Sequence, residues 1–347
     1  MTEQDALLIL NALPGLSNKR IFALVTHFGG ARAVLEQDVE VWGCSATAQD
    51  LIRRFDRSRF LEEEQERIDK EDVSVITYFD PFYPHFLKEI PDAPLVLYVK
   101  GRLPAMEQAI SVVGSRRASL YGLDIARKFG MELSWRDIPV VSGCARGIDT
   151  AAHKGVLEAD GQTIAVLGSG LSRIYPAENE PLVERICERG AVLSEFSMTM
   201  EPFAYNFPRR NRIVSGLSRG VMVVEAALKS GALITADLAL EQGREVYCVP
   251  GPVDSPASRG VHHLIQQGAK LITSVEDIFE DTGGTISSKE SFREQDCLSK
   301  EETELLNKLS KTPRHLDELG EHAASVLLKL EMKHLVKQLP GKHYTKE

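Results

Sequence analysis

The sequence predicts a doubly wound α/β fold with a mostly parallel sheet for residues 106–281. Apolar runs rich in valine and isoleucine alternate there with segments of helical periodicity. Continuous apolar runs are typical of parallel strands that are covered on both faces. The candidate strands are AISVVGS, PVVSG, TIAVLGS, AVLSEF, GVMVVEA, EVYCVPG and KLIT. Ligands of such sheets bind at the carboxyl ends of the strands, so the loops that follow these runs are the first candidates for a functional site.

Residues 1–70 predict a small helical domain of the SAM-like or helix-hairpin-helix type. DALLILNAL and NKRIFALVTHF are apolar at helical spacing, and PGLS lies between them as a tight turn. Such a hairpin can hold a DNA phosphate with backbone N–H groups. An ordinary packing role is favoured here, because the sequence Asn18-Lys19-Arg20 is only a modest basic patch. Residues 71–105 contain two more candidate strands, VSVITYFD and PLVLYVKG, and we expect a connecting segment that docks on the core.

Residues 282–298 are polar and rich in small side chains, which is typical of a linker. Residues 299–347 predict a winged helix, with three short helices in EETELLNKL, RHLDELGE and ASVLLKLEMKHLV before a basic hairpin, KQLPGKHYTK. The candidate DNA-reading helix carries only Lys329, Lys333 and His334 as basic groups. Contact with DNA, contact with a protein and a purely structural role therefore all stay open for this domain.

The composition is that of an ordinary soluble protein, with 43% hydrophobic and 26% charged residues in 347. No apolar run approaches the roughly 20 residues that span a bilayer, so we expect no membrane association. The five cysteines are scattered, odd in number and never spaced C-x-x-C, which argues against a zinc site or a disulfide framework and favours a reducing cytoplasm. The net charge of -9 disfavours an anionic partner, but from Ser111 to Val275 the chain has 18 basic and 17 acidic residues. The acidic excess therefore lies in the flanks.

Glycines, arginines and aromatic residues follow the predicted strands. The candidate DNA-binding residues are Gly114, Ser115, Arg116 and Arg117 after the first strand, Arg146 after the second, Gly168, Ser169, Gly170, Arg173 and Tyr175 after the third, Phe207, Arg209, Arg210, Asn211 and Arg212 after the fourth, and Ser230 and Gly231 after the fifth. The planar fork of arginine suits phosphate, and the helix start at Ser230 can receive an anion. Aromatic rings among arginines are typical of single-stranded nucleic-acid binding, although each ring could equally pack against the sheet. We expect Asp149 to act as an N-cap and His153 to be packed or capping.

The sequence does not contain the usual enzyme motifs. The first strand is not followed by G-x-G-x-x-G, and in GSGLSR the residue Arg173 stands where the third glycine would be. Arg116 would crowd a pyrophosphate that needs bare backbone, which makes a nicotinamide dehydrogenase improbable. A phosphate-cradling NTPase loop and a metal motif are also missing from the sequence, so we expect no catalytic residues, no metal and no cofactor. The alternative is a nucleotide-processing enzyme such as a nucleoside monophosphate phosphoribohydrolase, but LKSGALITADLALE lacks the P-G-G-x-G-T-x-x-E pattern of those enzymes.

An ordered string of motifs resembles a known family. GSRRAS, SGCARGIDTAAHKGVL, VLGSGLSRIYPAEN, EFSMTMEPFAYNFPRRNRIVSGLS, VVEAALKSGALITADLALEQGREVYCVPG and GVHHLIQQGAKLI occur here in this order. Together they closely resemble the bacterial DNA-processing protein A family (DprA, also called Smf). The resemblance covers about Asp80 to Asp277.

The resemblance implies an extended Rossmann-like sheet in a dimeric protein that binds and protects single-stranded DNA during natural transformation and helps to load the RecA recombinase onto it. It implies a DNA pocket built from Gly114, Ser115 and Arg116, with Arg173 as the basic residue before Tyr-Pro. It also implies a dimer and recombinase contact, which would comprise His262, Ile265, Gln266 and Leu271. Ser172 is a departure, because the family often has Asp there, and the change removes a negative charge beside the pocket.

Overall fold

The computed structural model describes residues 1–279, 300–310, 314–319, 323–332, 335–339 and 341–346. The chain divides into two compact units, Met1–Thr285 and Ile286–Glu347. The predicted linker, residues 282–298, lies outside the described residues. Within the described part of the chain, none of the helices is both long and apolar enough to cross a membrane.

The first unit begins with the predicted helices. They are α1 (Glu3–Ala12), α2 (Asn18–Phe28), α3 (Ala31–Leu35), α4 (Ala46–Arg54) and α5 (Arg57–Lys70), with a 3-10 turn at Val39–Trp42. A capping box starts α1, since Asp5 N–H donates to Thr2 Oγ1 at 3.1 Å and Thr2 N–H donates to Asp5 Oδ2 at 2.6 Å. The buried side chains of these helices form one hydrophobic cluster with one face of the sheet described next.

A nine-stranded sheet forms the centre of the first unit. Its strands are β1 (Val73–Thr77), β2 (Val96–Gly101), β3 (Ile110–Val113), β4 (Val140–Ser142), β5 (Thr163–Val166), β6 (Ala191–Ser194), β7 (Gly220–Val223), β8 (Glu245–Cys248) and β9 (Lys270–Leu271). They lie in the order β1-β2-β6-β5-β4-β3-β7-β8-β9. The seven strands β3 to β9 are parallel, which confirms the predicted doubly wound sheet. The two strands predicted in residues 71–105 are β1 and β2, and they extend this sheet as antiparallel strands beside β6.

Helices cover both faces of the sheet. They are α6 (His85–Lys88), α7 (Leu120–Trp135), α8 (Ile148–Glu158), α9 (Glu180–Arg189), α10 (Asn206–Gly216), α11 (Gly231–Glu241), α12 (Arg259–Gln266) and α13 (Glu276–Phe279). Alternate residues along a strand enter different clusters: Val96 and Tyr98 of β2 face the N-terminal helices, whereas Leu97 and Val99 join a second core with Val221. Burial on both faces explains why these strands are continuous apolar runs.

The second unit is a small winged helix. It contains α14 (Lys300–Lys308), β10 (Arg314–His315), a 3-10 turn (Leu316–Glu318), α15 (Ala323–Met332), β11 (Val336–Leu339) and β12 (His343–Lys346). The strands form an antiparallel sheet in the order β10-β12-β11. The predicted middle helix, RHLDELGE, is instead a short strand and a 3-10 turn. Lys329 is exposed on α15, while Lys333 and His334 lie outside the described residues.

Candidate nucleic-acid interface

A cleft of about 760 Å³ lies at the carboxyl ends of the central strands. The order in which successive parallel strands are added to the sheet reverses at β3, which lies between β4 and β7. The crevice at such a reversal is the usual ligand position in doubly wound sheets. Its lining comes from the segments after β3, β4, β5, β6 and β7 and includes Gly114, Ser115, Arg116, Arg117, Asp149, Tyr175, Phe207, Arg210, Asn211, Lys229, Ser230 and Gly231. Eleven of these twelve residues were singled out from sequence, all but Asp149 as DNA-binding candidates. Lys229 was missed, although it directly precedes the predicted helix start.

The loop after β3 is held rigidly by Glu225. Ser115 N–H donates to the Glu225 carbonyl oxygen at 2.7 Å, and the Glu225 carboxylate accepts from Ser119 N–H at 3.1 Å and from Ser119 Oγ at 2.5 Å. A Cβ atom on Gly114 would lie 2.5 Å from the Ile148 side chain, so this position requires glycine. Both ends of the loop are thereby fixed, and the arginines between them are displayed on a defined backbone.

Arg116 lies against an aromatic ring in the cleft. Its Cζ atom is 5.1 Å from the centroid of Phe207, and that ring is 5.7 Å from the ring of Tyr175. Arg116 and Arg117 are both exposed, and among the described residues neither forms an ion pair. Two guanidinium groups with no carboxylate partner, beside a ring that a base can stack on, present the chemistry that a phosphate chain requires.

Arg210 lies buried at the floor of the cleft, with 3% of its surface exposed. Its guanidinium donates to the carbonyl oxygens of Gly143 and Val166, at the ends of β4 and β5. Burial lowers the pKa of Arg210, and burial raises the pKa of nearby Asp149 against the opposing effect of the Arg210 charge. Arg210 is therefore not one of the exposed arginines of the cleft, and its direct contact with DNA stays a prediction.

The predicted N-cap role of Asp149 is wrong, whereas the predicted packing of His153 is confirmed. Asp149 is not an N-cap: it lies inside the first turn of α8 and accepts from the N–H groups of Gly143 and Ala145 at 3.1 and 3.2 Å. His153 is fully buried as expected, and its Nδ1 lies 2.7 Å from Thr163 Oγ1. That hydroxyl already donates to a backbone carbonyl, so the histidine is the donor in this contact.

Arg212 faces away from the cleft. It is buried, and it contacts Asp92 Oδ2 at 3.1 Å and Glu195 Oε2 at 2.5 Å. Arg212 is therefore not one of the exposed arginines of the cleft either, because helical spacing turns it toward these carboxylates. Arg209 is exposed, with its Cζ 5.3 Å from the Phe196 ring centroid and its Nη2 4.0 Å from Glu195 Oε2.

Arg146 and Arg173 are exposed near the cleft, but each has a carboxylate partner. Arg146 makes two contacts of 2.7 Å with Glu178, which raise its pKa, and its Cζ lies 5.9 Å from the Tyr175 ring centroid. Arg173 Nε lies 3.1 Å from Glu201 Oε1. A phosphate would compete with these glutamates, and exposed pairs of this kind contribute little to stability.

Gly168, Ser169 and Gly170 are buried, so they shape the neighbouring loop and offer no surface to a ligand. Ser169 Oγ donates to the Arg173 carbonyl oxygen at 2.6 Å. A Cβ atom on Gly168 would lie 2.8 Å from the Phe207 ring, which shows how closely that ring is seated. Their prediction as contact residues is corrected to a positioning role.

The start of α11 opens into the cleft opposite Arg116. Ser230 Oγ caps the helix by accepting from Ala232 N–H at 3.3 Å, and Asn211 Nδ2 donates to the Gly231 carbonyl oxygen at 3.4 Å. No heavy atom lies within 4 Å of a Cβ built on Gly231. The exposed Lys229 precedes this helix start, so the free N–H groups and a cation face the same space.

The remaining predicted residues form a separate surface at the sheet edge. Leu271, in the edge strand β9, is 46% exposed. On α12, Gln266 is exposed, Ile265 is half-buried, and His262 Nε2 lies 3.0 Å from the Gly251 carbonyl oxygen. Among the described residues β9 is the last strand of the sheet, and an exposed apolar residue on an edge strand suits contact with another chain.

Comparison with known proteins identifies relatives over most of the chain. Residues 74–283 match the family described as DNA recombination-mediator protein A, and residues 291–342 match the DprA winged helix domain. Protein Smf of Escherichia coli is 52% identical over 202 residues, which are 58% of this chain and 54% of that protein. The DNA processing protein DprA of Streptococcus pneumoniae is 39% identical over 272 residues, which are 77% of this chain and 94% of that protein.

Two solved structures share the fold. The X-ray structure of DprA from Streptococcus pneumoniae superposes with a TM-score of 0.69 at 36% identity and covers 80% of this chain and 97% of its own. A structure described as giving the single-stranded DNA binding mode of DNA processing protein A from Helicobacter pylori has a TM-score of 0.55 at 27% identity, and covers 60% of this chain and 95% of its own.

Proposed function

The chain belongs to the DNA recombination-mediator protein A family, and from this premise we propose that it binds single-stranded DNA in the cleft between β3 and β7. Its role is that of a recombination mediator, which protects single strands taken up in natural transformation and helps to load the RecA recombinase onto them. The Helicobacter pylori relative, whose structure is described by its single-stranded DNA binding mode, supports the choice of ligand.

One observation carries the proposal: Arg116 lies over Phe207 in an open cleft, with no ion pair to a described carboxylate. Arg117 and Lys229 add two exposed charges to the same cleft. Phosphates of a single strand would lie along these three cations and the start of α11, while a base would stack near Phe207 and Tyr175. Stacking contributes roughly 1–3 kcal/mol per base and tolerates any sequence.

The cleft favours binding over catalysis. Asp149, which lines it, and Glu225, which holds the loop after β3, are both buried and accept hydrogen bonds from backbone N–H groups of nearby loops. Neither carboxylate faces the open volume as a general acid or base would have to. We therefore assign the chain no catalytic step.

The test is fluorescence anisotropy with a labelled oligonucleotide. We expect single strand to compete far better than duplex, and the Arg116→Ala/Arg173→Ala variant to bind all sequences more weakly. Each lost phosphate contact should reduce the salt slope of log affinity by about 0.7. Arg185→Ala is the matched control, since it removes an exposed arginine of α9 outside the cleft. Unchanged affinity in the double variant would mean that DNA does not bind in this cleft.

The partners are tested separately. We propose a homodimer through His262, Ile265, Gln266 and Leu271, with the same region contacting RecA. Leu271→Arg should shift the protein to a monomer in sedimentation experiments, because a charge would be buried at the contact. Gln266→Ala should weaken the pull-down of RecA while affinity for a short oligonucleotide stays unchanged. A dimer that persists in Leu271→Arg would place the contact elsewhere.

A further inference from the structure

A second, smaller groove lies between α2 and the segment around β1, β2 and α6, outside the cleft described above. It has a volume of about 130 Å³, the scale of one nucleobase, and is lined among others by Asn18, Lys19, Phe22, Tyr78, Lys88 and Asp92. We propose that this aromatic groove is a second contact for the same DNA strand and takes one of its bases. The inference rests on the proposed function and extends it to the N-terminal helices.

Two aromatic rings, Phe22 and Tyr78, line this groove, and a third ring, Phe79, lies beside them. The rings of Phe22 and Phe79 are parallel to within 3° with centroids 6.4 Å apart, and Tyr78 stands edge-on to both, at 5.3 and 5.5 Å. Phe22 is 40% exposed and Phe79 is 50% exposed. Rings left this open form an exposed aromatic patch, and a stacking surface for bases requires such a patch.

Two lysines supply the charge that an anionic strand needs. Lys88 Nζ lies 4.9 Å from the Tyr78 ring centroid, and Lys19 lines the groove from the first turn of α2. Both are exposed, and among the residues that the structure describes neither has an ion-pair partner. A phosphate on either side of a stacked base would meet one of these ammonium groups.

The groove also offers polar contact to the edge of a base. Asp92 Oδ1 is buried and has no hydrogen-bond partner among the described residues, while Oδ2 of the same carboxylate contacts Arg212. The side chain as a whole is 37% exposed, and Oδ2 can accept a second hydrogen bond, such as one from the exocyclic amino group of a base.

The groove is connected to the cleft by Glu195. Asn18 Nδ2 and Arg209 Nη2 lie 3.3 and 4.0 Å from the same Glu195 Oε2 atom. Arg209 is an exposed residue of α10, and the preceding residues Phe207 and Pro208 line the cleft. A strand that leaves the cleft past Arg209 would therefore pass close to Asn18 at the groove.

A length series of labelled oligonucleotides tests the proposal. Oligonucleotides of about 4 nucleotides fill the cleft alone, and ones of about 12 reach the groove. We expect the longer oligonucleotide to bind the protein at least tenfold more tightly than the shorter one. Phe22→Ala/Phe79→Ala should lose most of this gain and keep the affinity for the short oligonucleotide. Phe82→Ala is the matched control, because Phe82 is 84% exposed, lines neither site and, among the described residues, makes no ring contact with Phe22, Tyr78 or Phe79.

A second variant controls for the possibility that loss of the rings disturbs folding. Lys19→Ala/Lys88→Ala leaves the rings in place, and we expect it to reduce the salt slope for the long oligonucleotide only. If both double variants keep the full increase in affinity with oligonucleotide length, the proposal is wrong. The groove would then be a candidate contact for a protein partner. Loss of short-oligonucleotide binding in Arg116→Ala is a separate result, which tests the cleft and the proposed function.

Discussion

We expect Arg210→Ala to lower the free energy of unfolding of Met1–Thr285 by about 3–5 kcal/mol, because it removes a buried donor from two carbonyl oxygens and a cation from the surroundings of the buried Asp149. Arg210 and Asp149 are 3% and 5% exposed. The substitution leaves two carbonyl oxygens without their donor, each worth about 1–3 kcal/mol, and leaves the Asp149 charge without its neighbouring cation. These contributions overlap, so their combined effect stays within the stated range.

Urea unfolding followed by tryptophan fluorescence measures this effect. The chain has two tryptophans, Trp42 and Trp135, and both belong to the first unit, so the signal reports on the unit that contains Arg210. With a slope near 3 kcal/mol per M urea, the midpoint should fall by about 1 M or more. Arg209→Ala is the control: the neighbouring arginine is exposed, and its loss should change stability by about 0.5 kcal/mol or less.

A paired variant separates charge from packing. Arg210→Met/Asp149→Asn removes both charges and should recover the part of the lost stability that comes from the uncompensated Asp149 charge, while the two carbonyl oxygens stay without their donor. An Arg210→Ala protein that unfolds at the wild-type midpoint but no longer binds DNA would refute the reasoning. That result would mean that Arg210 contacts DNA directly.

Three further predictions concern the same unit. Burial lowers the pKa of His153 to about 3 from 6.5, so the unfolded chain is protonated at a higher pH than the folded chain. The free energy of unfolding should therefore fall by up to about 1.4 kcal/mol per pH unit as the pH drops from 6.5 toward 3. Urea titrations of His153→Asn should show this slope reduced; an unchanged slope would contradict the assignment. Gly170→Ala should lower the thermal midpoint, because its Cβ would lie 2.1 Å from a backbone carbonyl oxygen, whereas Gly231→Ala, with no heavy atom within 4 Å, should not. Glu225→Ala should weaken oligonucleotide binding severalfold in anisotropy measurements, because it releases the loop that presents Arg116. Tighter binding there would mean that the removed negative charge matters more than the loop.

The sequence predicted most of the architecture because the determining signals are local. Continuous apolar runs identified every parallel strand from β3 to β9, and helical spacing identified the N-terminal helices and the winged helix. The Gly-Ser turn before Arg116 could be placed at a strand end for the same reason. The burial of His153 also followed from its position on an apolar helix next to small residues.

Other features depended on residues far apart in the chain. Arg210 and Arg212 look like Arg209 in the sequence, yet one is buried against Asp149 and the other against Asp92 and Glu195, and only the folded chain brings those carboxylates there. Residues 71–105 became two strands of the sheet because β2 pairs with β6, about 90 residues later.

The sequence by itself thus determined the doubly wound sheet, the winged helix and the position of Arg116, since apolar periodicity and turn residues act over a few neighbours. Only the tertiary structure decided which arginines are free for a ligand and that an aromatic groove forms between α2 and β1. The physical reason is that the availability of a charge or a ring depends on the distant side chains packed against it, and no local pattern records those contacts.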